Sequence, residues 1–439
     1  MGPVSTDDEI APDDENAPAI VTFGCRLNTF ESEIIARHAR AAGLEDVVII
    51  HTCAVTAEAE RQARQAIRRA RRDHPDKRII VTGCSVQIDP DGYGAMEEVD
   101  HLIGNHDKLQ PSAWKALANG QEPVLHDIMQ VRETAGHLVD GFDGRSRAFL
   151  QVQQGCDHRC TFCVIPYGRG NNRSVPAEHV IEQGRILVDN GYREIVLTGV
   201  DIASWGSDLA TPGEANGRPH LGDLVLRLLE ALPDLPRLRL TSLDPAAIDP
   251  ALFALLAGHE RVMPHVHLSL QAGDDMILKR MKRRHLRDDV IDLCARLREQ
   301  RPDIVFGADM IAGFPTETAE MFERSRAILD EAGLTFLHVF PYSPRPFTAA
   351  ARMPQLARKT VKERAAILRE AGKMRFSTFL ESETGKRRQV LVERGGRGHS
   401  EHFAPVRLDS GSAMPTPGTL HDVLINGVED GMLFGSVVA

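Results

Sequence analysis

The sequence predicts an α/β protein in three parts: an open N-terminal α/β domain, a partial (β/α)6 barrel and a small C-terminal antiparallel β-barrel. Three observations carry this reading. Near the N-terminus, a β-rich run that ends in a cysteine and leads into a helical stretch occurs three times. From Ala148 to about Arg375, six β-rich runs alternate with helical stretches. Beyond that, short strands separated by Gly-rich turns take over.

The 439 residues suffice for two or three domains, and 42% apolar with 26% charged residues is ordinary for a globular chain. No apolar run of about 18 residues occurs, so no membrane span is expected. The start, Met1 to Glu9, lacks the positive and apolar segments of a secretion signal, and a cytoplasmic location is expected. Seven cysteines, an odd number dispersed over a long chain, do not read as a disulfide framework. A reducing compartment suits thiolate ligands. The formal net charge of -10 argues mildly against a nucleic-acid partner. However, the acids Asp7, Asp8, Glu9, Asp13, Asp14 and Glu15 fall in an N-terminal tail, residues 1–18, expected to be disordered, while arginines bunch elsewhere.

The first folded run is Ala19-Ile20-Val21-Thr22-Phe23, leading through Gly24-Cys25-Arg26-Leu27-Asn28 to a helix expected from Glu33 to Ala42. Val47-Val48-Ile49-Ile50 leads to His51-Thr52-Cys53, and Arg78-Ile79-Ile80-Val81 to Thr82-Gly83-Cys84. In an open parallel sheet the carboxyl ends of the strands share the ligand-binding edge. Cys25, Cys53 and Cys84 are therefore expected to meet there, as a second three-thiolate cluster site or as three small buried hydrophobes. The helix from Glu58 to Arg72 carries six arginines in its last twelve residues, with Arg61, Arg64, Arg68 and Arg71 along one face. That face is either solvated or an RNA-backbone contact. The pattern weakens from Asp100 to Ala148, with turn signals at Gly104-Asn105 and Gly141-Phe142-Asp143-Gly144. Arg145-Ser146-Arg147 reads as the linker between domains spanning residues 19–135 and 146–375.

Barrel strands are expected at Phe149 to Gln153, Glu194 to Thr198, Arg237 to Thr241, His265 to Leu270, Val305 to Met310 and Thr335 to Phe340. Helices are expected at Glu178 to Asp189, Leu221 to Ala231, Asp288 to Gln300 and Ala319 to Ala332, and a long one at Val361 to Leu380. The site of such a barrel lies at the strand carboxyl ends. Asp201, Ser242, Asp244 and Gln271 all gather at that rim, although Asp201 and Asp244 equally suit helix N-caps. Lys279 to His285 is a second basic patch, either solvated surface or RNA contact. Cys294, inside its helix, reads as core. Residues 376–439 hold strand candidates at Arg388 to Glu393, His402 to Leu408, Val423 to Ile425 and Leu433 to Val438.

The loop after the first barrel strand reads Gly155-Cys156-Asp157-His158-Arg159-Cys160-Thr161-Phe162-Cys163. Three thiols spaced C-x3-C-x2-C are one short of a closed structural zinc site. Three thiolates on an iron-sulfur cubane leave one iron open. A disulfide, a zinc knuckle or buried structural thiols are the plainer alternatives. With its aromatic residue before the last cysteine, the motif resembles the radical S-adenosylmethionine (SAM) superfamily, in which the open iron binds SAM.

Taken with Thr22 to Asn28, Thr52-Cys53-Ala54-Val55-Thr56, Thr82-Gly83-Cys84 and Arg169-Gly170, the chain resembles the methylthiotransferases of that superfamily from about Ala19 onward. Four stretches are similar to the subgroup acting on N6-threonylcarbamoyladenosine at position 37 of tRNA: Cys-Arg-Leu-Asn, Cys-Ala-Val-Thr, Leu197 to Asp201, and Glu401 to Pro405. Two positions depart from the pattern. His51 stands where Asn commonly precedes Thr-Cys, and Phe347 stands where Gly is expected in Ser-Pro-Arg-Pro-Gly-Thr, a position at which glycine often supplies positive φ.

The resemblance implies two 4Fe-4S clusters, one on Cys156, Cys160 and Cys163 with SAM, and an auxiliary one on Cys25, Cys53 and Cys84 that carries the sulfur. The rim residues Asp201, Ser242, Asp244 and Gln271 are then the expected SAM pocket. The resemblance further implies a C-terminal TRAM domain that binds RNA, the tRNA anticodon loop as partner, and an electron donor such as flavodoxin or ferredoxin. Sister subgroups act on isopentenyladenosine or on a ribosomal-protein aspartate. A non-catalytic iron-sulfur RNA-binding protein is the alternative of another class.

Overall fold

The computed structural model describes residues 9–10, 18–132, 134, 138–142, 144–209, 217–409 and 414–438. Most of the acidic tail, and Asp143 of the expected turn, lie outside them. The chain forms two compact units, each built from separated segments.

The first unit takes residues 1–139, 153–175 and 343–352. Its sheet has the order β1 (Glu9–Ile10), β2 (Ala19–Thr22), β3 (Val47–Thr52), β4 (Arg78–Gly83) and β5 (His101–Ile103), parallel except for β1. Every residue of β3 is buried, as expected of a parallel strand covered on both faces. Val47 and Ile49 enter one core with Ile35 of α1 (Arg26–Ala41). Val48 and Ile50 enter the other with Ile67 of α2 (Ala57–Asp73). Next come α3 (Cys84–Ile88), α4 (Pro90–Gly94) and α5 (Pro111–Ala118). Helix α5 leaves no periodic trace in the sequence, because its eight residues make only about two turns; Trp114, wholly buried, anchors it to the first core.

Helix α1 begins at Arg26, seven residues before the expected Glu33. The helical stripe was hidden because its first turns bury polar side chains, Asn28, Thr29, Glu31 and Ser32, where an apolar pattern was sought.

The chain runs β6 (Ala148–Gln151) in the second unit, then returns to the first for β7 (Gln153–Gln154), α6 (Ile165–Arg169) and β8 (Arg173–Ser174). The expected single strand Phe149 to Gln153 is thus broken at Val152.

In the second unit the parallel strands run in the order β6, β9 (Glu194–Thr198), β10 (Arg237–Leu240), then β11 (His265–Gln271), β12 (Val305–Ala312) and β13 (Leu334–Pro341). An isolated bridge, Leu243 to Leu268, spans the gap between the two halves. Six strands with helices between them make the partial barrel that was expected. Its interior buries Glu194 among Arg147, Arg237 and Arg239, at 3.2, 3.5 and 3.1 Å.

The long helix Arg358–Ser382 sends Leu380, Phe376 and Phe379 into the core of a closed five-stranded barrel. That barrel has the order β14 (Arg387–Glu393), β15 (Arg397–Ser400), β16 (Pro405–Leu408), β18 (Met432–Val437) and β17 (Leu420–Glu429). Two expectations are corrected here. β15 was missed because Arg-Gly-His-Ser offers no apolar alternation, and the barrel is not wholly antiparallel, since β16 and β18 pair in parallel. No helix among the described residues is long and apolar enough to cross a membrane.

Candidate active site

Strands β2, β3 and β4 are in register at their carboxyl ends, with Thr22 opposite His51 and Thr52 opposite Gly83. Each end delivers one cysteine: Cys25 as the N-cap of α1, Cys53 just past β3, and Cys84 as the first residue of α3. Gly24, at φ +106, makes the turn before Cys25; a Cβ there would lie 2.8 Å from the Cys53 sulfur. Only glycine fits this close approach.

Burial pushes the Cys53 thiol up to about 12, and the neighbouring Cys84 and Cys25 push in the same direction. Cys25 is also raised, by burial first, with Arg169 opposing. Cys25 and Cys53 thus resist ionisation beside Cys84, and the three thiols together are a donor set that a polycationic iron-sulfur group would satisfy, since such binding removes the protons.

Cys156, Cys160 and Cys163 lie half-buried on the loop closed by the β7–β8 pair. Backbone bonds shape the loop: Cys156 N donates to Gly170 O (3.1 Å) and Cys163 N to Cys160 O (3.1 Å). Arg159 ties Cys156 O to Asn171 Oδ1, at 2.6 Å each. From the third segment of the unit, Ala350 N donates to Thr161 O (2.8 Å).

The two triads are neighbours within the first unit. Helix α6 begins two residues after Cys163 and packs on α3; a Cβ on Gly168 would lie 3.2 Å from the Cβ and carbonyl oxygen of Cys84. Ala54, Cys84 and Val164 form one small apolar cluster.

A buried charge network ties these elements together. Glu31 of α1 accepts from Arg169 (2.8 and 2.9 Å), Lys108 (2.7 Å) and Gln154 (2.7 Å). Arg169 also donates to Asn28 Oδ1 (2.5 Å), and Asn28 donates onward to Phe23 O and Thr52 O. Asn105 donates to Gly168 O (2.5 Å) and to the Cys84 sulfur (3.4 Å), and accepts from Lys108. Burial pushes the Glu31 carboxyl up, but Arg169 and Lys108 outweigh it and hold it far below the usual carboxylate range.

The His51 departure has its reason here. Lys108 donates to His51 Nε2 (2.8 Å), so Nδ1 carries the proton and donates to Ser32 (2.9 Å). Burial and Lys108 together hold His51 well below its ordinary pKa, hence neutral. Glu31, Lys108 and Asn105 were missed by sequence reasoning. The available signal was the spacing Asn28, Glu31, Ser32, Ile35, an inward helical stripe with polar members.

The other departure, Phe347, keeps the backbone a glycine would have, at φ +64, which costs a residue with a side chain about 1–2 kcal/mol.

In the second unit, Ser242 donates to Asp309 Oδ2 (3.4 Å), whose Oδ1 is met by His267 (3.0 Å) and His338 (3.3 Å). This His267–Asp309–His338 group, missed from sequence, has donor atoms within 4.8 Å of one another, close enough to hold a metal ion or to be satisfied by its own hydrogen bonds. Gln271 ends β11 at φ +74, beyond an irregularity in register. Asp201 accepts from the Ser204 hydroxyl (2.7 Å). Asp244 lies apart from that group. It caps the turn at Ala246 and binds Arg283 and Arg284 at 3.3 and 3.2 Å. Part of the Lys279 to His285 patch is thereby internal: Arg283 is turned inward and His285 is buried, donating to Leu270 O. Cys294 is buried in the helix Arg287–Gln300.

A model of the radical SAM superfamily matches residues 150–329, and one described as "Uncharacterized protein family UPF0004" matches residues 18–104. The chain is 51% identical over 414 residues to the threonylcarbamoyladenosine tRNA methylthiotransferase MtaB of Rickettsia prowazekii, covering 94% of this chain and 96% of that one. It is 34% identical over 391 residues to the tRNA-2-methylthio-N(6)-dimethylallyladenosine synthase of Novosphingobium aromaticivorans, covering 86% and 87%. In fold it resembles the radical S-adenosylmethionine methyltransferase TsrM of Kitasatospora setae, solved with cobalamin and a 4Fe-4S cluster. The TM-score is 0.52 at 17% identity, over 74% of this chain and 69% of that one. Identity of 51% over nearly the whole length of both chains fixes the assignment: the chain belongs to the family of threonylcarbamoyladenosine tRNA methylthiotransferases, within the radical SAM superfamily.

Proposed function

We propose that the chain transfers a methylthio group to carbon 2 of N6-threonylcarbamoyladenosine at position 37 of tRNA, by radical chemistry with SAM. The observation that carries the proposal is the packing of two cysteine triads in one unit, with α6 resting on Cys84 and Arg169 clamped by Glu31. Carbon 2 bears an unactivated C–H bond with no acidic proton, so no side-chain base can open the reaction. When bound, the clusters and SAM supply the hydrogen-abstracting radical and the sulfur. The chain's own work is placement. Cys156, Cys160 and Cys163 hold the radical-generating cluster, and Cys25, Cys53 and Cys84 the auxiliary one. The network around Glu31 fixes the loops that carry both. Asp201, Ser242 and Gln271 are proposed to contact SAM, and Asp244 to serve the same pocket through Arg284. Of the expected arginine face of α2, Arg64 and Arg71 are turned to Asp89 and Asp100. The exposed arginines of that helix and the small C-terminal barrel, as a TRAM domain, hold the RNA backbone. A one-electron donor of the flavodoxin or ferredoxin class completes the system, which works in the cytoplasm.

The test is mass spectrometry of tRNA nucleosides from a deletion strain. The methylthio form of threonylcarbamoyladenosine is expected to vanish; an unchanged level sinks the assignment. The 34% identity to a dimethylallyladenosine synthase supports a second reading, in which the isopentenyladenosine product is the one lost. The same measurement separates the two.

A further inference from the structure

Tyr167 and Phe347 are the exposed ones among all the Phe, Tyr and Trp side chains of the described residues, at 41% and 69%. They are also each other's neighbours: the ring centroids are 5.7 Å apart at a tilt of 43°, and the Tyr167 hydroxyl donates to Phe347 O (3.5 Å). We infer that this pair is a stacking platform for a nucleobase of the anticodon loop beside the modified adenosine, an inference that rests on the tRNA reading above.

Four observations carry it. Phe347 holds a left-handed backbone conformation that a bulky residue adopts only under constraint, and it gains no core burial in return. Its exposure is not that of a loose loop. Arg345 is buried and ion-paired to Glu60, Thr348 Oγ1 donates to Arg345 O (2.7 Å), and Ala350 N donates to Thr161 O. Tyr167 is equally fixed, one residue before the Gly168 that lies against Cys84 and four after Cys163. The platform therefore stands beside both triads.

The fourth observation concerns charge. The same segment meets the first turn of α2 through Ser343 and Arg345. Along α2, Arg61, Arg68, Arg69 and Arg72 are all more than half exposed, four cations paired with three carboxylates, Glu58, Glu98 and Asp73. Exposed rings beside an exposed arginine row match a single-stranded nucleic acid, whose bases stack on aromatic faces while its phosphates need cations.

The test uses cluster-loaded enzyme and an anticodon stem-loop RNA with 2-aminopurine next to the target adenosine, followed by fluorescence. Wild type is expected to bind and quench the probe. Phe347→Gly is expected to bind about five- to a hundredfold more weakly, the loss of one stacked base, and to lose the quench. Phe347→Tyr restores both. The thermal midpoint of Phe347→Gly should equal or exceed that of wild type, because glycine accepts the positive φ, so a weak complex cannot be blamed on misfolding. Unchanged affinity and quench in Phe347→Gly overturns the platform while the tRNA reading stands. Failure of wild type to bind the stem-loop overturns both. Unchanged RNA binding with slower reduction by flavodoxin overturns it in favour of a redox-partner surface.

Discussion

Glu31 is one carboxylate serving two cations and an amide where water does not reach. Removing its charge leaves Arg169 and Lys108 facing each other, and an uncompensated buried charge is expensive. Glu31→Gln is expected to lower unfolding free energy by about 3–5 kcal/mol, read from denaturant melts. Adding Lys108→Met should return part of that, because it removes one stranded cation. Residues of this kind are where the sequence was least legible. The six site cysteines announce themselves by spacing and strand context, but Asn28, Glu31 and Ser32 look like an exposed helix face until the partners 19 to 141 positions away are known. His51 and Phe347, the two departures from the family pattern, were visible as oddities. Their meaning was not, since it lies in Lys108 and Tyr167.

At the scale of elements, β9 and β10 are joined by more than their ladder. Glu194 on β9 faces Arg237 and Arg239 on β10. Burial raises the Glu194 carboxyl, yet Arg239 and Arg147 overcome this and hold it well below the ordinary range. A carboxyl whose folded pKa is depressed contributes stability above its unfolded value, about 4.3, and loses it as pH falls toward the folded value. Unfolding free energy is thus expected to decline below about pH 4.3. Glu194→Gln should be less stable at neutral pH and show a shallower acid slope in melts run from pH 7 to 3. Strands and long helices of this unit were read from sequence almost to the residue, because a buried parallel strand is a dense apolar run and its helices are amphipathic. Short elements escaped: α5 rests on one tryptophan, and β15 on backbone pairing alone.

At the scale of the whole molecule, the proposed function gives the two triads two separable metal complements. Anaerobically reconstituted wild type is expected to carry about eight irons, and the Cys156/Cys160/Cys163 triple Ala variant about four, with Mössbauer spectra of four-iron clusters in each. Cys294→Ser should leave the count unchanged. About four irons falling to none would make Cys25, Cys53 and Cys84 ordinary buried thiols. The division into compact units was not legible: the loop of the second triad and residues 343–352 join the N-terminal sheet through contacts that no local pattern encodes.

That discontinuity has a consequence for how the protein is born. The first unit lacks its last segment until residue 352 has been made, so it cannot close as an autonomous bead behind the exit tunnel. At about 5–20 residues per second, roughly 10–40 s of translation separate residue 139 from residue 352. Throughout that interval Cys25, Cys53 and Cys84 stand in a half-built unit, so on the proposed reading their site is completed only after residue 352 has been made, and the nascent thiols stand open to oxidation until then.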